Sequence, residues 1–120
     1  MAKNIYAPPS VGALVVAVDA TAPAIAGRIS RLGSYEASFA DYAQLAINGE
    51  DLLDTLIEDS KLLQAQPVES GAVATFYINV LYRQNFSWQG TITWCEQGKE
   101  SAFRSFLELI VFMEECLHAL

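Results

Sequence analysis

Residues Thr75 to Leu120 read TFYINVLYRQNFSWQGTITWCEQGKESAFRSFLELIVFMEECLHAL, and this stretch decides the fold. Phe76, Ile78, Val80 and Tyr82 alternate with Tyr77, Asn79, Leu81 and Arg83. That period-two pattern, rich in aromatic and β-branched residues, predicts a strand. The chain reverses at Asn85-Phe86-Ser87, and a second alternation sets Trp88, Gly90, Ile92 and Trp94 against Gln89, Thr91, Thr93 and Cys95. Its faces separate well, as in an antiparallel strand with one wet side. Glu96 to Glu100 is turn-like, since Gly98 can take positive φ and the charges around it stay in water.

Ser105 and Glu108 form a capping-box pattern that opens a helix reaching the C-terminus. Its polar residues Glu108, Glu114, Glu115 and His118 occupy roughly a third of the helical circle, at ~100° per residue. A surface helix ordinarily buries a narrower stripe than the remainder. The expectation is that a neighbouring helix or a second subunit covers it, with Phe106, Ile110, Phe112, Met113 and Leu117 as candidate interface residues.

Outside this unit the chain is read from its N-terminus. Met1 to Ser10 reads as an extended arm, Val11 to Val18 as an apolar strand, and Ala20 to Ala24 as a turn. Ile25, Gly27 and Ile29 then alternate with Ala26, Arg28 and Ser30 in a second strand, followed by a loop from Arg31 to Ser38 with room for a short extended piece. Asp41 and Gln44 repeat the capping box ahead of Tyr42, Leu45, Ala46, Leu52, Leu53, Leu56 and Ile57. Asn48-Gly49 falls inside that helix, where glycine costs about 1 kcal/mol relative to alanine; the helix is expected to continue through it by packing.

These elements echo the C-terminal unit. Gly27 and Ile29 recur 63 residues later as Gly90 and Ile92. Phe39, Leu45, Glu50, Leu53 and Leu56 recur 64 later as Phe103, Leu109, Glu114, Leu117 and Leu120, and the two capping boxes align. One domain is expected over residues 1–120, with an internal repeat at approximately 11–58 and 74–120 and a linker at 59–73. The fold class is α+β: two tandem strand–strand–helix units share an antiparallel sheet, with both helices on one face and approximate two-fold symmetry.

Composition sets the outer bounds. The chain has 120 residues, 52% of them hydrophobic and 18% charged, which suits one compact core rather than a disordered segment. A net charge of −7 opposes generic binding to nucleic acid or anionic membranes. No run of about 18 apolar residues predicts a membrane span. Gly12 to Ala26 has the outline of a signal peptide, but Asp19 interrupts it, two prolines precede it, and Lys3 is the only basic residue before it. The expectation is a cytoplasmic protein with Cys95 and Cys116 as reduced thiols.

No catalytic, cofactor or metal signature is legible. Glu114, Glu115, Cys116 and His118 do not have zinc spacing, and Cys116 and His118 point about 200° apart on a helix. The most polar loop is Arg83 to Gly90, dense in hydrogen-bonding side chains between aromatics. Together with the sheet side bearing Asn79, Thr91, Thr93 and Arg28, it gives a candidate recognition face of Arg83, Asn85, Trp88, Gln89 and Arg28. Arg28, Arg31 and Arg83 lie on or beside strands while Glu50, Asp51, Asp54, Glu58 and Asp59 lie on or just after the first helix, a division that would give a basic sheet face against the simpler reading of solvated charges.

Trp88-Gln89-Gly90, Phe103-Arg104-Ser105 and Glu108-Leu109-Ile110 together resemble a pattern in small bacterial proteins to which no activity attaches. It covers the last third of the chain, and the first unit departs from it with Ile25-Ala26-Gly27 and Phe39-Ala40-Asp41. The resemblance implies the strand–strand–helix unit and no function. The residues themselves favour a non-enzymatic interaction or assembly module whose partner is itself or another protein, built around the over-apolar C-terminal helix. A ligand- or nucleic-acid-binding protein using the polar sheet face and the Asn85 loop is the alternative, and an acidic mimic of another protein's ligand is a third.

Overall fold

The computed structural model describes residues 12–31, 36–54, 69–84 and 87–120. In chain order the elements are β1 (Gly12–Ala20), β2 (Ala26–Arg31), β3 (Glu36–Phe39), α1 (Tyr42–Leu53), β4 (Ala74–Gln84), β5 (Ser87–Trp94), β6 (Lys99–Phe103) and α2 (Phe106–His118). Six strands form one antiparallel sheet in the order β3-β2-β1-β4-β5-β6. The fold is α+β, as the sequence patterns predict, but among the described residues the sheet has six strands rather than the four they imply.

The two additional strands are the sheet's edges. EASF alternates over only four residues and KESAF opens on two charges, so neither gives a run of alternation long enough to mark a half-buried strand. Charged, short edges also discourage pairing with another chain. Residues 96–100 are therefore only partly a turn: Gly98 sits at φ +63, and Lys99 already belongs to β6.

Partners across an antiparallel ladder project to the same side of the sheet. Leu14 opposes Ile78, Val16 opposes Phe76, and Ile78 opposes Ile92. These side chains are fully buried, and with Ile29, Phe39, Val80 and Phe103 they make the apolar face. Both helices lie over it. Leu45, Leu52 and Leu53 come down from α1; Leu109, Phe112, Met113, Cys116 and Leu117 come down from α2. Trp88 lies where the two helices converge, with Gly49 of α1 on its ring and Phe106 of α2 edge-on at 5.2 Å.

Each helix starts as its sequence predicts. The Asp41 carboxylate accepts from the Gln44 N–H and the Gln44 side chain accepts from the Ala40 N–H. Ser105 and Glu108 repeat the arrangement, with Glu108 reaching back to the Arg104 N–H. α1 continues through Gly49, where the Trp88 ring packs so closely that a Cβ would clash with it. Leu56, Ile57, the N-terminal arm and most of the expected linker lie outside the described residues.

Candidate functional site: the helix layer and the Arg83–Trp88 corner

The proposed recognition residues do not share a face. Alternation along β4 would put Arg83 beside Asn79, on the side away from the helices. The ladder between β4 and β5 instead shifts register between Val80 and Tyr82, and such a bulge exchanges the faces of the residues that follow. Tyr82 therefore opposes Gln89 while Arg83 opposes Trp88, on the helix side. Arg28 and Gln89 belong to the open face, Arg83 and Trp88 to the core side, and Asn85 lies outside the described residues.

What Arg83 does there is structural. Its guanidinium bonds the Glu50 carboxylate at 2.6 Å and the Asp54 carboxylate at 2.6 Å, and it reaches the Glu50 carbonyl at 3.3 Å. The planar fork spans two successive helical turns and ties the end of α1 to β4. Arg31 closes the same helix end differently, donating to the carbonyls of Leu52 and Leu53 at 3.0 Å each. The last carbonyls of a helix are open to further donors, so an arginine is a suitable cap.

Arg28, on the open face, is enclosed by acids. It donates to both Asp19 oxygens at 3.0 and 3.2 Å and to the Ser70 carbonyl at 3.2 Å, with Glu36 at 3.6 Å and Glu69 at 4.0 Å. Hydrogen bonds from Arg28 and from the Ala72 N–H hold the Asp19 carboxyl below the usual carboxylate range. All three arginines considered for a basic sheet face are thus engaged within the chain. Arg28 and Arg83 are met by carboxylates and Arg31 by helix carbonyls.

The five candidate interface residues of α2 are also redistributed. Phe112, Met113 and Leu117 are buried against the sheet, while Phe106 and Ile110 are half-buried. The exposed apolar residues are Leu107 at 69% and Val111 at 47%, one helical turn apart, with Ile47 of α1 at 52%. Most of the wide apolar arc is spent inside the chain. The Tyr42 hydroxyl of α1 donates to Glu114 of α2 at 2.6 Å, so the helices are also joined directly. What remains uncovered is a ridge that periodicity alone did not separate from the core side.

Nucleophilic chemistry finds no support in the thiols. Burial pushes the Cys116 thiol up, away from the thiolate form, and Cys95 shifts the same way for the same reason. Among the described residues, no three His, Cys, Asp or Glu side chains gather into a metal-sized cluster, and no helix is long and apolar enough to cross a membrane. Comparison of the chain with protein-family models, with curated proteins and with solved structures gives no match.

Proposed function

We propose that the protein is a non-enzymatic interaction module that associates with a second copy of itself through the outer ridge of α2. The observation that carries this reading is the exposed pair Leu107 and Val111 on a helix whose other apolar residues are already packed. Charge distinguishes this ridge from its counterpart on α1. Antiparallel pairing of two α2 helices about the Leu107–Val111 midpoint would bring Arg104 of one copy close to the exposed Glu115 of the other. A two-fold interface makes that pairing twice. The outer part of α1 near Ile47 has no lysine or arginine of its own, and Arg83 beside it is already engaged by Glu50 and Asp54, so α1 offers a second copy no such pairing. Edge-to-edge sheet growth is disfavoured by Glu36, Lys99 and Glu100 on the short edge strands.

Light scattering coupled to size-exclusion chromatography tests the reading. The intact chain should elute as a dimer, and a Leu107→Glu/Val111→Glu variant as a folded monomer. Phe112→Glu, at a buried site, should lose its cooperative unfolding transition rather than merely dissociate. An intact chain that stays monomeric at about 100 µM, a Kd regime of roughly −5 kcal/mol, would sink the proposal.

The tandem repeat belongs to the same reading. Gly27 faces a bulge between Val18 and Ala20, and Gly90 faces one between Val80 and Tyr82. Gly27 pairs with Phe39 across β2–β3, and Gly90 pairs with Phe103 across β5–β6. A two-fold axis through the Val15–Tyr77 pair would exchange β1 with β4 and carry each half onto the other. It would also exchange Trp88 with Ile25 and Gly49 with Met113, a large–small pair in one half answered by two medium residues in the other. These correspondences support descent from a duplicated unit.

A further inference from the structure

Between the β1–β2 turn, the start of α1 and the last turns of α2 there is an open cavity of about 350 Å³. Small-molecule sites begin at about this volume. Its apolar wall is Pro23, Ile25 and Leu117. Its polar groups are Thr21, Asp41, Tyr42, Glu114 and His118, and among the described residues no lysine or arginine lines it. At the matching place in the other half of the molecule, Trp88 and Phe106 stack edge to face and fill the space between the helices. Here the smaller Ile25 stands in the position of Trp88.

We propose that this cavity binds a small organic amine, with its ammonium head on Glu114 and its apolar body against Pro23, Ile25 and Leu117. Three features select a cation. Two carboxylates line the cavity against one imidazole, in a chain of net charge −7. Glu114 already accepts from Tyr42 at 2.6 Å, which orients the carboxylate and leaves it further lone pairs for an ammonium donor. The last turn of α2 adds the negative end of a helix dipole, while the positive end of α1 is already occupied by its own cap, Asp41. The Tyr42 phenol keeps its proton, because burial and the Glu114 charge both push its ionisation up, so it adds no competing negative charge. The cavity lies within one chain and is present whether or not two copies associate.

Calorimetric titration with phenethylammonium tests this on the full chain, with phenylacetate and ethylammonium as controls. We expect saturable binding of phenethylammonium with a Kd below about 1 mM. Phenylacetate has the body without the cation, and ethylammonium has the cation with little body; each should bind at least tenfold more weakly. Glu114→Gln should weaken phenethylammonium at least tenfold, and Ile25→Trp, which plugs the cavity as Trp88 plugs the other half, should abolish binding. If Ile25→Trp does not fold, Ala24→Trp on the exposed turn serves the same purpose. No binding of phenethylammonium, equal binding of phenylacetate, or unchanged binding by Glu114→Gln or the plugged variant would each overturn the proposal. The Leu107→Glu/Val111→Glu monomer should retain full binding, which separates failure of the cavity from failure of the interface.

Discussion

Single side chains set how the two helices meet, and Tyr42 is the clearest case. Burial, then its hydrogen bond to Glu114, raise the phenol's ionisation above its ordinary value. Below about pH 10 the group is neutral in the folded and unfolded chains alike, and its stabilising contribution is complete. Above that, the unfolded chain loses the phenolic proton while the folded one keeps it. Stability should therefore fall as pH rises, at up to about 1.4 kcal/mol per pH unit from this group. Denaturant melts between pH 9 and 11 should show a shallower decline for Tyr42→Phe than for the intact chain. Ultraviolet difference titration of the intact chain against Tyr42→Phe should show a phenol whose ionisation is delayed to higher pH. An identical slope in the variant would mean that Tyr42 is not protected. Residue identity also marks the limit of what the sequence could tell. Trp88 alternates with Ile92 and Trp94, yet the polar loop beside it made it a recognition candidate, and it is fully buried. Arg83 was misplaced, because a single inserted residue in the ladder reverses every side chain after it.

Among the elements, the strongly patterned strands and both capped helices could be read directly, since each combines a clear period with a start signal. The edge strands could not. Glu36-Ala37-Ser38-Phe39 and Lys99 to Phe103 are strands because a neighbour supplies a ladder, and no local propensity announces that. The bulges were invisible for a related reason: Asp19 and Leu81 are ordinary residues, and only the glycines opposite them hint at the irregularity. A Cβ on Gly27 would run into the Ala17 carbonyl, and one on Gly90 into the Asn79 carbonyl. Neither neighbour can give way without moving backbone. Gly27→Ala and Gly90→Ala should each destabilise by about 1–3 kcal/mol, by amounts similar to one another. Gly98 has open space around it and strains only the backbone, so Gly98→Ala should cost about 1–2 kcal/mol and Gly98→Asn less. Urea denaturation measures all four. Near-neutral substitutions at Gly27 and Gly90 would mean that the two bulges do not demand glycine.

The whole molecule adds a constraint that no single element shows. Two copies each carrying −7 repel, so any association through α2 must overcome that repulsion with apolar burial and the two Arg104–Glu pairings. Salt acts on these contributions in opposite directions. It screens the long-range repulsion between the copies, whose charges are spread over the surface, and it weakens two exposed ion pairs that are worth little individually. The repulsion is the larger electrostatic effect, because it sums over all the charges while the attraction rests on two contacts. Raising sodium chloride from about 20 mM to about 300 mM, which shortens the screening length from above 20 Å to below 10 Å, should therefore tighten the dimer several-fold. Sedimentation equilibrium at the two salt concentrations reads this directly. The unfolding temperature should rise with protein concentration by mass action, and more steeply at high salt. Leu107→Glu/Val111→Glu should lose both dependences while keeping the melting temperature of the monomer. Arg104→Glu should weaken association at low salt and partly recover at high salt, because it adds charge to the repulsion and removes the pairing without touching the apolar ridge. A dimer that weakens as salt rises would place its stability in ion pairs rather than at Leu107 and Val111, and the contact would then have to be sought on another face.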